Sequence, residues 1–185
     1  MRYRSILLTL FLACLGLHSL AQNSEPEWKE RVAQALPLLG HRNWILIVDS
    51  AYPLQTSQGI ETIDTKADLI TVSRVVLEAI NNSKHVRPLF YMDAELPFVP
   101  DQDAPGASDY RKQIGELVKG YEIQSQTHEK ILQTIDETSK AFHILVLKTN
   151  MTIPYTSVFI RLDCKYWSAD EEKRMRARMS AANIR

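Results

Sequence analysis

Trp44 to Val48 is an unbroken apolar run, bounded by Asn43 before it and by Asp49 after it. A continuous β-rich run of this length suits a strand covered on both faces of a sheet. On either side the period becomes helical. Glu27 to Leu38 carries Trp28, Val32, Ala35 and Leu36 at helical spacing, with Pro37 and Gly40 near its end. Ala67 to Ile80 places Leu69, Val72, Val76, Leu77 and Ile80 on one face, and Asn81-Asn82-Ser83 stops it. The stretch between, Gln55 to Thr65, is polar and contains Gly59, which predicts a loop or weak extended segment able to close over a site.

The same alternation continues to the C-terminus. Arg87 to Met92 predicts a second strand, and Asp93 to Ser108, with three prolines, a loop. Tyr110 to Lys119 reads as a helix and Tyr121 to Ile123 as a short strand. Thr127 is placed to cap a helix from His128 to about Ser139, with Ile131, Leu132 and Ile135 inward. Phe142 to Leu147 and Val158 to Leu162 are further strands, and Ala169 to Arg185 is a charged helix or solvated tail. Strands alternating with helices imply an α/β fold: a single-domain, three-layer α/β/α sandwich with a largely parallel sheet.

The first segment differs in kind. Arg2 and Arg4 precede an apolar run from Ile6 to Leu17, and Ser19-Leu20-Ala21 supplies the small residues a signal peptidase reads. Residues 1–21 are thus expected to be a cleaved signal peptide, too short for a good membrane span, with residues 22–185 as an exported, periplasmic or secreted domain. A lipoprotein anchored through Cys14 is the weaker alternative, because Cys14 falls inside the apolar run. Loss of Arg2 and Arg4 moves the formal charge from 0 to −2. No basic patch points to nucleic acid. Cys164 then stands alone, and no intramolecular disulfide is available.

Several chemistries lack their residues. The glycines form no phosphate loop or dinucleotide fingerprint, so no nucleotide cofactor is expected. His41, His85, His128 and His143 lack zinc spacing, and Asp101-Gln102-Asp103 lacks the glycine and distant glutamate of a calcium loop, so no metal is expected either. No Gly-x-Ser-x-Gly elbow is present. What remains is Asp49 at the carboxyl end of a strand, where open α/β sheets bind ligands, and His41 just before that strand.

The block Leu39-Gly40-His41, apolar strand, Asp49, then Pro53 resembles the ribose pyranase and fucose mutarotase family. Thr127-His128-Glu129 is similar to the Thr-His-Glu of the ribose pyranases, and Lys140-Ala141-Phe142 to the fucose mutarotase branch. Pro154-Tyr155-Thr156-Ser157 resembles the family's Tyr-x-Asn before its last long strand. The resemblance runs from Glu27 to Trp167. It implies that His41 is the catalytic acid/base, that Asp49, His128, Tyr155 and Ser157 bind the sugar, and that the chain assembles as a homo-oligomer, a decameric ring. Two departures stand out. Ser157 occupies the place of an asparagine, offering one hydroxyl instead of an amide. The segment from His128 to Tyr155 is also longer by about one helical turn.

Such chemistry needs little. Opening a reducing sugar's ring requires one group to take the anomeric proton and another to protonate the ring oxygen, and histidine serves both directions near neutral pH. The expectation is therefore a monosaccharide mutarotase or pyranase. The alternative is a non-catalytic, exported sugar-binding or scaffold protein of the same fold.

Overall fold

The computed structural model describes residues 27–184; the expected signal peptide, its cleavage site and Cys14 lie outside the described residues. The sheet has six strands: β1 (Trp44–Val48), β2 (Ile60–Asp64), β3 (Val86–Asp93), β4 (Ile123–Gln126), β5 (Ile144–Lys148) and β6 (Val158–Cys164). Their order across the sheet is β2-β5-β1-β6-β3-β4. β1 and β2 both run parallel to β5, and β3 runs parallel to β4. Only β6 opposes its neighbours, pairing antiparallel with β1 and with β3. The fold is α/β with a mostly parallel sheet, as the alternation of apolar runs and helical periods implies.

The described residues form five α-helices, α1 (Trp28–Ala35), α2 (Leu69–Asn82), α3 (Ala107–Leu117), α4 (His128–Thr138) and α5 (Ala169–Ala181), of which the first four pack on the sheet. The two-residue period of β1 sorts its side chains between two cores. Ile45 and Ile47 point to one face, where Val32, Val72, Val76 and Ile114 bring α1, α2 and α3 against the sheet. Trp44, Leu46 and Val48 point to the other, against Ile131 and Ile135 of α4. All five β1 residues are fully enclosed, which accounts for the absence of alternation in that run. α5 buries none of its residues; a capping box at Ser168 and Glu171 secures its start.

Three expectations are refined by the structure. Of the two readings of Gln55 to Thr65, the extended one holds for Ile60–Asp64, which pairs with β5 as an edge strand with only Ile63 of its residues buried. One face of an edge strand meets solvent, so its sequence reads polar. Gly59 precedes it with its backbone so close to the Ser139 carbonyl that an added Cβ would lie 2.5 Å away. β3 extends to Asp93, one residue beyond its apolar run, and Pro88 lies in the part of β3 that β4 leaves uncovered. Finally, Thr127 occupies the N-cap position of α4 but its side chain caps nothing. Both Glu95 carboxylate oxygens instead accept from the His128 N–H, each at 3.1 Å.

A carboxylate at a helix start satisfies an orphan donor and meets the positive end of the helix dipole. Glu95→Ala is therefore expected to cost about 0.5–2 kcal/mol, while Thr127→Ala changes stability by under about 0.5 kcal/mol, the usual size for a surface substitution. Urea denaturation of both variants reads the difference. Equal losses would place the cap at Thr127 after all.

Candidate functional site

The carboxyl end of β1 supplies the first residue of the cleft. Asp49 follows Val48 directly, and its Oδ1 accepts the Ala51 N–H at 2.8 Å, which turns the chain sharply. Because β6 is antiparallel, its start lies beside that end of β1, with Val158 opposite Ile47. Ser157 is thereby set against Asp49: its hydroxyl donates to Asp49 Oδ2 at 3.2 Å and accepts the Asp49 N–H at 3.4 Å. Tyr155 stands two residues earlier with a left-handed backbone, φ 59°. That conformation is costly for a residue with a side chain, and such strain persists where surroundings enforce it. Here Thr156 is enclosed, its hydroxyl donating to the Ile153 carbonyl at 2.7 Å while its carbonyl accepts from the Tyr110 hydroxyl.

α4 delivers His128 as its first residue, at the same edge of the sheet. The ring meets Tyr155 edge-on, with centroids 5.7 Å apart and planes at 84°. Its Nδ1 lies 3.0 Å from Asp93 Oδ2. Asp93 ends β3, and its side chain has no solvent exposure. Its Oδ1 has no hydrogen-bond partner. The hydrogen bond to Asp93 raises the His128 pKa; burial opposes it, and the charges of Asp93, Glu95 and Asp49 add to the rise. Burial likewise pushes the Asp93 carboxyl up, against the pull of His128. Burial, with Asp136 and Asp49 nearby, also pushes the Tyr52 hydroxyl up, keeping it neutral.

Asp49, Tyr52, His128, Leu132, Ile153 and Tyr155 are among the residues enclosing an open cleft of about 510 Å³. Pockets of that order hold small ligands. Of the residues the sequence singled out, the structure brings Asp49, His128 and Tyr155 together here, with Ser157 buried behind the wall against Asp49. His41 is elsewhere. It sits in the turn before β1, whose two ends are about 13 Å apart at the usual strand rise. There its Nδ1 lies 2.9 Å from Asp163 Oδ1, while Arg87 donates twice to Oδ2. Asp163, near the end of β6, pairs across the strands with Arg87. Within one chain, then, His41 belongs to the amino end of β1 and the other four residues to its carboxyl end.

Sequence reasoning missed Asp93 and Glu95, both read as loop. Asp93 carried a usable signal: like Asp49, it is the acid that ends an apolar strand run. Glu95 carried none, since its partner lies 33 residues away.

No family model matches this chain, and neither does any curated protein. Among solved structures it is similar to Bacillus subtilis RbsD complexed with D-ribose, at 20% identity and a TM-score of 0.52, over 71% of this chain and 89% of that one. That likeness shows a shared fold. FucU from Bifidobacterium longum is matched at 13% identity and a TM-score of 0.49, over 71% of this chain and 92% of that one. The fucose mutarotase of Streptococcus pneumoniae, in complex with L-fucose, is matched at 17% identity and 0.43, over 69% and 87%.

The raised His128 pKa has a consequence for stability. A basic group whose pKa rises on folding adds stability in full below its unfolded value, about 6.5, and loses that contribution as pH climbs through the folded value. The stability difference between wild type and His128→Gln should thus shrink as pH rises from about 6.5, as followed by urea denaturation across pH 6–9. A difference constant over that range would show that His128 and Asp93 are not coupled.

Proposed function

We propose that this chain is an exported monosaccharide mutarotase or pyranase. It interconverts ring or anomeric forms of a reducing sugar, ribose- or fucose-like, in the cleft at the carboxyl end of the sheet. The observation that carries the reading is convergence. Asp49, His128, Tyr155 and Ser157 are the residues the family resemblance links to sugar binding; they come from three segments, the first three line one cleft, and Ser157, buried behind it, bonds Asp49. The fold shared with RbsD, whose structure is complexed with D-ribose, adds support.

The chemistry suits the groups present. Asp49 accepts one hydrogen bond on each carboxylate oxygen and keeps further lone pairs for a sugar hydroxyl. Tyr155, partly exposed, offers a ring face and a phenol. His128 supplies an imidazole whose proton moves near neutral pH. His41 enters such a cleft only from another copy of the chain, so its role as acid/base is tied to assembly into a homo-oligomer, a decameric ring by resemblance. Binding without turnover is the second reading. It is favoured by Ser157, whose hydroxyl is engaged with Asp49 on both sides and reaches less far than an amide.

Exchange NMR on a panel of monosaccharides tests the activity: one of them should show anomer or ring-form exchange above the buffer rate. Sugar bound without added exchange would establish the second reading. Asp49→Asn should weaken binding of that sugar by about 1.5–3 kcal/mol, the worth of a hydrogen bond to a charged group, and Tyr155→Phe by less. Light scattering on the same sample bears on His41, because a monomer that exchanges sugar has no route for His41 into the cleft. The intact mass of the exported protein, expected to begin at Gln22, tests the signal peptide.

A further inference from the structure

We propose that Trp167 enters a second copy's cleft alongside His41 and gives the bound sugar a ring face to lie on. The inference rests on the proposed function, in which His41 reaches the cleft from another copy of the chain. Its grounds are a pocket that holds both residues and a helix that no packing within the chain explains.

His41 and Trp167 border one open pocket of about 610 Å³, beside Arg87, Asp163, Tyr166 and Glu172. β6 leads from one to the other. Asp163 Oδ1 lies 2.9 Å from His41 Nδ1, and the chain then runs through Cys164, Lys165 and Tyr166 to Trp167. That connection is fixed. Lys165 Nζ donates to the Asn81 and Ser83 carbonyls at 2.7 and 2.8 Å, and its backbone N–H donates to the His85 carbonyl at 3.1 Å. Beyond it, the Trp167 indole N–H donates to Glu172 Oε2 at 2.8 Å, and Arg176 donates to Glu172 Oε1 at 2.7 Å. Glu172 lies in the first turn of α5. Because α5 buries none of its own residues, its contribution within the chain is to hold that indole in place.

Of the three tryptophans, Trp28 and Trp44 are buried, whereas Trp167 is 41% exposed and Tyr166 before it 74%. Large aromatic groups left in water beside a site residue mark a surface that another molecule covers. A second copy fits by charge and by apolar surface. Asp49 borders the cleft, with Asp93, Glu95 and Asp136 near it, and no lysine or arginine lines it. At the other end of β1, Arg42 and Arg161 flank His41. They lie over the rings of Phe142 and Tyr91, each at 5.8 Å, and neither pairs with a carboxylate among the described residues. Leu54 and Tyr155 are exposed beside the cleft, as Tyr166 and Trp167 are beside His41. An acidic, partly apolar end of one copy thus meets a basic, partly apolar end of the next.

A sugar ring presents C–H groups on a face and hydroxyls at its edge. Aromatic rings bury the first, while carboxylates and imidazoles bond the second. In a single chain the exposed ring on the cleft wall is Tyr155. Trp167, carried in with His41, adds another, and the sugar is held between rings from two copies. The family resemblance ends at Trp167, so this contact and the helix that braces it belong to the C-terminal segment beyond the resemblance.

The test uses Trp167→Ala and Trp167→Phe in the full chain, each checked by circular dichroism for fold and by light scattering for assembly. Calorimetric titration with the monosaccharide that wild type binds best gives the affinity, and exchange NMR on the same sugar gives the rate. Trp167→Ala should weaken binding about tenfold in an assembly of wild-type size, the scale of one truncated aromatic anchor. Trp167→Phe, which keeps a ring, should recover most of that loss. Co-expression of Trp167→Ala with Asp49→Asn shows which copy supplies the indole. Mixed oligomers then contain sites with Asp49 from one chain and Trp167 from the other, and wild-type affinity should return in that fraction. Wild-type binding by Trp167→Ala would overturn the proposal, as would a mixture without recovery. Loss of assembly in Trp167→Ala also overturns it, because Trp167 then holds the interface and not the sugar. A wild-type monomer that binds sugar overturns it too, and leaves the cleft reading standing. A wild type that neither binds nor exchanges sugar removes the proposed function itself, and this inference with it.

Discussion

Strand β6 runs against both of its neighbours, and the geography of the chain's chemistry follows from that reversal. An antiparallel strand between two parallel pairs begins where they end. Its leading segment therefore brings Tyr155 and Ser157 to the carboxyl ends of β1 and β3, beside Asp49 and Asp93. Its trailing end carries Asp163 back to the amino ends, beside His41 and Arg87. Were β6 parallel, Ser157 would stand at the opposite edge from Asp49 and no cleft of this composition would form. The rule that open α/β sheets bind ligands beyond the carboxyl ends of their strands holds here, with one reversed strand contributing from its start.

A second constraint acts inside the cleft. Four acidic or imidazole side chains, Asp49, Asp93, Glu95 and His128, are drawn into a small volume, and burial penalises the charges of Asp93 and His128. The arrangement settles this by giving each carboxylate a defined donor. Asp49 takes Ala51 N–H and the Ser157 hydroxyl, Glu95 takes the start of α4, and Asp93 takes the His128 ring. The last is the most confined. An imidazole held by an enclosed carboxylate has a fixed tautomer and a raised affinity for its proton. The strained backbone at Tyr155 belongs to the same economy, since the enclosed Thr156 and the Tyr110 hydroxyl hold it in place.

The charge pattern also separates the two ends of β1. The Asp163 cluster is a cross-strand ion pair with a histidine added, and Arg87 already neutralises its carboxylate. Proximity in sequence, with only seven residues between His41 and Asp49, makes the two look like one site. A strand is a rigid spacer, however, and it holds its two flanks apart by its own length.

Patterning alone determined the elements that burial enforces. The Trp44–Val48 run, the helical faces of α2 and α4, and the apolar cores of β5 and β6 were legible because each must hide its side chains from water, and that demand is written in local order. The acids at strand ends were legible too, though only Asp49 was recognised and Asp93 followed the same rule unread. Tertiary structure decided the rest. β2 is polar because an edge strand meets solvent on one side, so its signal was too weak to separate strand from loop. The cap of α4 comes from Glu95, thirty-three residues away, not from Thr127 beside it. Above all, the direction of β6 depends on pairing with strands distant in sequence, and hydrophobic pattern has no sign: it says that a strand is buried and not which way it runs. That direction sets Ser157 beside Asp49 at one end of β1 and Asp163 beside His41 at the other.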